Sequence, residues 1–250
     1  MNHAKTHKCL NERSKGFAMP DNAVLELQGI EKRYGHRMIL NKISLRIFAG
    51  ECVTLTGENG CGKSTLLRIA AGLTRPTHGG AAIHCRGSVQ YVPDQFPPIA
   101  LTGRQFLRSM ARVDCDINEV LIRRFHMDAY LGNAISSYSK GMRSKIGVLQ
   151  ALLARPKLLL MDEPVAGQDA DSREVFIHAV KALMKSGCAV FMACHEQDLA
   201  NALSTGIYHI RGGQLVEGNW LNAPDDDACL CKDCSLFANG ACGGKEKRHA

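Results

Sequence analysis

Nowhere in its 250 residues does the chain carry an apolar run of about 18 residues, the length a bilayer demands, so a membrane-spanning helix is excluded. The N terminus, Met-Asn-His-Ala-Lys-Thr-His-Lys-Cys, lacks the apolar core of a signal peptide. A cytoplasmic chain with reduced cysteines is therefore expected. The odd count of 11 cysteines also rules out a fully paired disulfide scaffold. Aromatic residues make up only 6%, the net charge is a modest +7, and no long coiled coil or ladder of basic and aromatic residues is present. Nucleic acid is not the expected partner. Internal repeats and heptad arrays are missing too. What is there is 45% hydrophobic content, enough for an ordinary buried core and incompatible with a collagen-like or wholly disordered chain.

Both ends differ from the middle. Residues 1–22 form a polar extension with little apolar periodicity, and Asn222-Ala-Pro-Asp-Asp-Asp227 breaks the pattern ahead of a cysteine-rich tail at 222–250. Residues 23–221 read as one compact domain. Val24–Ile30 and Ile39–Ile47 alternate apolar and polar side chains as half-buried strands do, and Cys52–Thr56 is a third strand. A glycine-rich turn follows it, then a helix from Thr65 to Ala71. Val89–Val92 is a further short strand. Between about 95 and 155 the chain turns helical. Thr102-Gly-Arg-Gln105 offers a capping box, Asp116-Ile-Asn-Glu119 repeats the signal, and Ser139 caps a helix that Arg155-Pro156 ends. Leu158–Met161 and Ala189–Ala193 are continuous apolar strands of the kind covered on both faces, and Asp171-Ser-Arg-Glu174 starts a helix between them.

The chemistry concentrates in Gly57-Glu58-Asn59-Gly60-Cys61-Gly62-Lys63-Ser64-Thr65. Its glycines let the backbone curl so that successive amides face one phosphate chain, and the helix behind it presents free N–H groups and a positive dipole end. Lys63 reaches the β and γ phosphates and the Ser64 hydroxyl binds magnesium, which points to a nucleoside triphosphate. The second signal, Leu158-Leu-Leu-Met-Asp162-Glu163, holds Asp162 at the polar end of a buried strand, where it supports magnesium. Glu163 follows where an attacking water is activated.

These two motifs, with Tyr138-Ser139-Lys140-Gly141-Met142 before an amphipathic helix, resemble the nucleotide-binding subunit of an ATP-binding-cassette (ABC) transporter. Ala166-Gly-Gln-Asp169 resembles that family's D-loop, Cys194-His195-Glu196 its switch-histidine region, and Tyr34 the aromatic that stacks on adenine. The likeness spans about Val24–Gly218 in the family's motif order. It implies an α/β phosphate-loop NTPase core with a β-rich N-terminal subdomain and a short helical insertion. It implies a magnesium-dependent ATPase with Glu163, His195 and Lys63 as catalytic residues. It also implies a pair of chains that sandwich two ATP molecules head to tail, so that Ser139 and Gly141 meet the γ phosphate bound by the opposing protomer. Separate membrane-spanning permease subunits would hold the pair at the cytoplasmic face of the membrane.

Several positions depart from the family pattern. Tyr138 replaces the usual Leu, a form that resembles exporter branches; Gln168 replaces the D-loop Leu; Val165 stands where Thr or Ser is common. In the Q-loop, Asp94 occupies the usual Gln position and Gln95 comes one later, so either is a candidate to touch magnesium. Phe96-Pro-Pro-Ile99 resembles the groove that receives a permease helix, with ordinary packing as the other reading. In the tail, Cys229, Cys231, Cys234 and Cys242 offer four soft thiolates for zinc, copper(I) or an iron–sulfur centre. Their unequal spacing does not make clean zinc-knuckle turns, and a reactive or incidental tail is the alternative. The expected function is an ATPase subunit powering a membrane exporter; a soluble ABC ATPase that assists metal-centre assembly is the second reading.

Overall fold

A computed structural model describes residues 23–110 and 118–218 of the chain. The polar extension, residues 111–117 and the cysteine tail with Cys229, Cys231, Cys234 and Cys242 lie outside the described residues.

Strands β1 (Ala23–Tyr34) and β2 (Arg37–Phe48) pair antiparallel, and β4 (His78–Ile83) adds to the other side of β1, giving a three-stranded sheet in the order β2-β1-β4. Both long strands extend beyond the alternating segments legible in the sequence. The alternation puts Leu25, Leu27, Ile43, Leu45 and Ile47 in the core.

The second sheet contains β3 (Cys52–Thr56), β5 (Val89–Val92), β6 (Leu158–Asp162), β7 (Ala189–Ala193), β8 (Gly206–Arg211) and β9 (Gln214–Glu217), ordered β5-β6-β7-β3-β8-β9. All but β9 run parallel. Its central strands are buried on both faces, and the two faces feed different cores. Leu158, Leu160, Ala189 and Phe191 pack toward α1 (Lys63–Ala70) and the antiparallel sheet. Leu159, Met161, Val190 and Met192 pack toward the helices on the far side. This double burial is why those segments are continuous apolar runs. Cys52, Cys188 and Cys194 are part of that far core, where burial pushes each thiol up to about 12, so they act as small apolar packing groups.

The far-side helices are α2 (Gly103–Met110), α3 (Glu119–Arg124), α4 (Lys140–Leu153) and α5 (Ala170–Lys185), with α6 (Gln197–Leu203) after β7. The capping box at α2 is reciprocal: Gln105 N–H donates to Thr102 Oγ1 at 3.2 Å, and Thr102 N–H donates to Gln105 Oε1 at 2.9 Å. Two helix starts differ from the sequence reading. Asn118, the third residue of the tetrad, caps α3 by accepting from Leu121 N–H at 3.0 Å, while Asp116 lies outside the described residues. Asp169 caps α5 by accepting from Ser172 N–H at 2.8 Å, two residues ahead of Asp171. In each case the cap is the side chain that reaches the amide three residues along, and it lies two residues from the acidic residue that opens the tetrad legible in the sequence.

Candidate functional site

Parallel pairing decides where the chemistry sits. β5, β6, β7 and β3 are consecutive neighbours, so the segments leaving their C-terminal ends emerge along one edge of the sheet. Those segments carry Asp94, Asp162-Glu163, Cys194-His195 and the phosphate loop. An open cleft of about 230 Å³ results, lined by Asn59, Gly60, Gly62, Lys63, Ser64, Thr65, Asp94, Asp162, Glu163 and His195. Tyr34 and Ile39, from the antiparallel sheet, form its other end. Ile39 escaped the sequence reading because it looks like any apolar residue of an alternating strand.

The loop between β3 and α1 is held tightly. Gly62 has φ +117° and a side-chain carbon there would lie 2.8 Å from Leu40 Cδ2, so any other residue would be strained at this position. Lys63 is buried, and its ammonium donates to the carbonyls of Gly57 at 2.8 Å and Glu58 at 3.1 Å, which fixes the charge over the loop. The exposed side chain of Glu58, Gly57 and half-buried Cys61 are loop members outside the cleft lining.

Asp162 is 2% exposed, and burial raises its pKa. The Ser64 hydroxyl opposes that by hydrogen bonding, whereas the charge of Asp94 adds to it. Two carboxylates and a hydroxyl so close together form an all-oxygen donor set of the hard type that suits magnesium, and a divalent cation would relieve the repulsion between the acids. Of the two Q-loop candidates, Asp94 lines the cleft and Gln95 is exposed outside the lining. Asp94 also lies 3.9 Å from the ammonium of Lys140 at the start of α4.

Glu163 sits in a strained backbone, φ +52°, a left-handed conformation rare for a residue with a long side chain. Its N–H donates to Ala193 O at 3.0 Å, which ties it to the end of β7. His195, two residues beyond, faces it: the backbone N–H donates to Glu163 Oε2 at 3.3 Å, and Nε2 lies 3.1 Å from Oε1. Burial raises the Glu163 pKa while His195 pulls it back down. A carboxylate placed thus, at the mouth of the cation site, can take a proton from water.

The remaining motif residues lie elsewhere. Ser139, Gly141 and Asp169 are absent from the cleft lining of their own chain. Ser139 caps α4, its Oγ accepting from Met142 N–H at 3.2 Å, which leaves the hydroxyl proton free to donate. Gly141 abuts the D-loop so closely that a side-chain carbon would stand 2.7 Å from Gly167 O. Asp169 receives the ammonium of Lys145 at 2.5 Å and the Ser172 hydroxyl at 3.1 Å, and these partners, Lys145 foremost, hold its carboxyl far below the usual range. The departures from the family pattern have local reasons. Tyr138 is buried, its hydroxyl donates to Tyr130 O at 2.8 Å, and Gly103 makes room, since a side-chain carbon there would lie 2.4 Å from the hydroxyl. Gln168 donates to Pro164 O at 2.8 Å, and the Ser144 hydroxyl on α4 donates to the same carbonyl at 3.1 Å, so the D-loop and α4 share an acceptor. Phe96 packs edge-on against Phe106 at 5.4 Å and over Gly147, as ordinary core packing would have it, while Pro97 and Pro98 stay exposed.

Comparison with known proteins agrees with this geometry. The ABC transporter family model matches residues 40–166. An uncharacterized ABC transporter ATP-binding protein of Bacillus subtilis is 33% identical over 211 residues, covering 77% of this chain and 68% of the relative. The zinc import ATP-binding protein ZnuC of Yersinia enterocolitica is 34% identical, covering 72% and 73%. The Nod factor export ATP-binding protein I of Cupriavidus pinatubonensis is 30% identical, covering 78% of this chain and 65% of its own length. Among solved structures, an ATP-binding subunit of an ABC transporter superposes with a TM-score of 0.72 at 24% identity, over 78% of this chain and 90% of that one. A dimeric bacterial ABC transporter cassette gives 0.69 at 22% identity, over 79% and 99%. The chain belongs to the ABC transporter family, as one of its ATP-binding, ATP-hydrolysing subunits.

Proposed function

We propose that the chain powers a membrane transporter by closing and reopening a head-to-tail pair of cassettes around two ATP molecules. The observation that carries this reading is the split between the two sets of motif residues. Lys63, Ser64, Asp162, Glu163 and His195 share one cleft, whereas Ser139 and Gly141 stand outside it at the N terminus of a helix with no acidic residue in its first turn. A donor hydroxyl and a positive helix end that serve no ligand of their own chain suit the γ phosphate of another. In this reading Ser64, Asp162 and Asp94 hold magnesium, whose charge neutralises the phosphates. Lys63 stabilises charge on the transferred phosphoryl group, His195 orients Glu163, and Glu163 takes the proton of the attacking water. Tyr34 offers its ring to the adenine.

The partner would be an identical chain or a close relative, docked on separate permease subunits at the cytoplasmic face of the membrane. The described residues contain no helix long and apolar enough to cross a membrane. Export is favoured by the brevity of the helical segment and by the Tyr-Ser-Lys-Gly-Met form; relatives named for export and for import both occur. Co-purification from membranes identifies the permease, and ATP-driven movement of cargo in vesicles of known orientation fixes direction; cargo entering the compartment that holds the cassettes would overturn export. The four tail cysteines are proposed as a soft-metal site, tested by elemental analysis of anaerobically purified chain with and without them; a metal content equal in both would sink it.

A further inference from the structure

Tyr34 lines the cleft yet is 54% exposed, so packing does not fix its ring. A free rotor that must be frozen on binding gives up part of the affinity it contributes. One group does restrain it: the Lys32 ammonium lies over the ring, 4.9 Å from its centroid. That ammonium is itself held, donating to Arg75 O at 2.8 Å. The neighbouring backbone repeats the link, with Arg33 N–H donating to Thr77 Oγ1 at 3.0 Å and Thr77 N–H donating to Glu31 O at 2.7 Å. Residues 75–77 follow shortly after α1, whose first turn carries Lys63 and Ser64.

We propose that Lys32 is a positioning residue for the base: its ammonium occupies one face of Tyr34, leaves the opposite face to the purine of the nucleotide, and sets the distance between base platform and phosphate loop. A cation on one face also draws density from the ring, which favours stacking of an electron-rich purine on the other. The inference rests on the reading of Tyr34 as the base platform.

The test is calorimetric binding of magnesium ADP and of magnesium pyrophosphate, which lacks the base, to the full chain and to Lys32→Met, Lys32→Arg, Tyr34→Ala and the Lys32→Met/Tyr34→Ala pair. Lys32→Met is expected to weaken ADP about two- to fivefold, the range of an exposed cation–ring contact, and to leave pyrophosphate unchanged. Lys32→Arg should retain wild-type affinity, since a guanidinium also lies over rings. Once Tyr34 is Ala, the Lys32→Met change should have no further effect. Equal weakening of ADP and pyrophosphate, no weakening of either, or an undiminished effect in the Tyr34→Ala background would overturn the role of Lys32 while leaving the platform standing. If Tyr34→Ala itself leaves ADP affinity unchanged, the platform reading fails and takes the inference with it.

Discussion

The cleft at the sheet edge and the segment at the head of α4 are built by opposite strategies. The cleft gathers groups from four strand ends and leaves them electrostatically tense: Asp162 and Glu163 are both pushed toward the neutral form by burial, and Glu163 adopts a left-handed backbone. The α4 segment is locally satisfied. Ser139 caps its helix, Gly141 fits against Gly167, and Asp169 is locked by Lys145 and Ser172. A tense site awaits a charged ligand, whereas a relaxed one is shaped to press on something. The difference fits the proposed reading of two half-sites in one chain.

If that division holds, changes in the cleft should affect binding or chemistry in a single chain, and changes at α4 should affect only the closed pair. The largest effect is expected from Glu163→Gln, which keeps the size of the side chain and removes its basicity. Turnover should fall on the order of 10²–10⁴-fold in a steady-state assay with the membrane partner present, with ATP affinity retained. Equal turnover by variant and wild type would reject Glu163 as the base. Gly141→Ala comes next, because the added carbon must displace Gly167 and with it the D-loop. A shift of that size is expected to cost on the order of 10²-fold in turnover while a single chain binds ATP as before. Weakened ATP binding by the isolated variant would merge the two half-sites into one.

Tyr34→Ala should weaken ATP by roughly tenfold, the scale of losing one stacked base, measurable by direct titration. The smallest effect belongs to Lys145→Met, which frees Asp169. A carboxyl held below its ordinary value stabilises the fold above the unfolded pKa near about 3.9, and that contribution is lost as pH falls through the lowered folded value. The Asp169 side chain is 50% exposed, so screening keeps the stabilisation to about 1 kcal/mol or less, a few degrees in Tm. The Tm gap between variant and wild type, open at pH 7, should narrow once the pH drops below about 4. A gap that stays constant with pH would mean that Lys145 matters through its bond to the Phe125 carbonyl instead.

How much of this was legible in the sequence follows from burial. β6 and β7 are legible as apolar runs because both of their faces are covered, β3 is legible as the strand that leads into the glycine-rich turn, and the phosphate loop is a contiguous string whose geometry is local. β4 gave no signal, since His78–Ile83 is exposed along its whole length and owes its extended form to pairing with β1, as in Leu25 with Ile83. β8 likewise depends on its distant partner β3, and β9 on β8. The short helix α6 was missed as well. At the site, types and spacings named Lys63, Ser64, Asp162 and Glu163, but nothing in chain order says that Ile39 joins them or that Lys32 stands over Tyr34. The same limit hid the Lys145 clamp on Asp169, a contact between side chains far apart in sequence.

The central claim, that one chain's cleft is completed by another chain's α4, is tested most directly by mixing. Take the Glu163→Gln chain, expected to pair when ATP is added, and introduce Lys63→Ala in one batch and Gly141→Ala in another. Measure the mass of each, and of their mixture, by light scattering with and without ATP. The account predicts that neither variant pairs alone and that the mixture does, because a mixed pair retains one intact site made of an unaltered cleft and an unaltered α4 from different chains. A mixture that stays monomeric under conditions where the Glu163→Gln parent doubles its mass would contradict it.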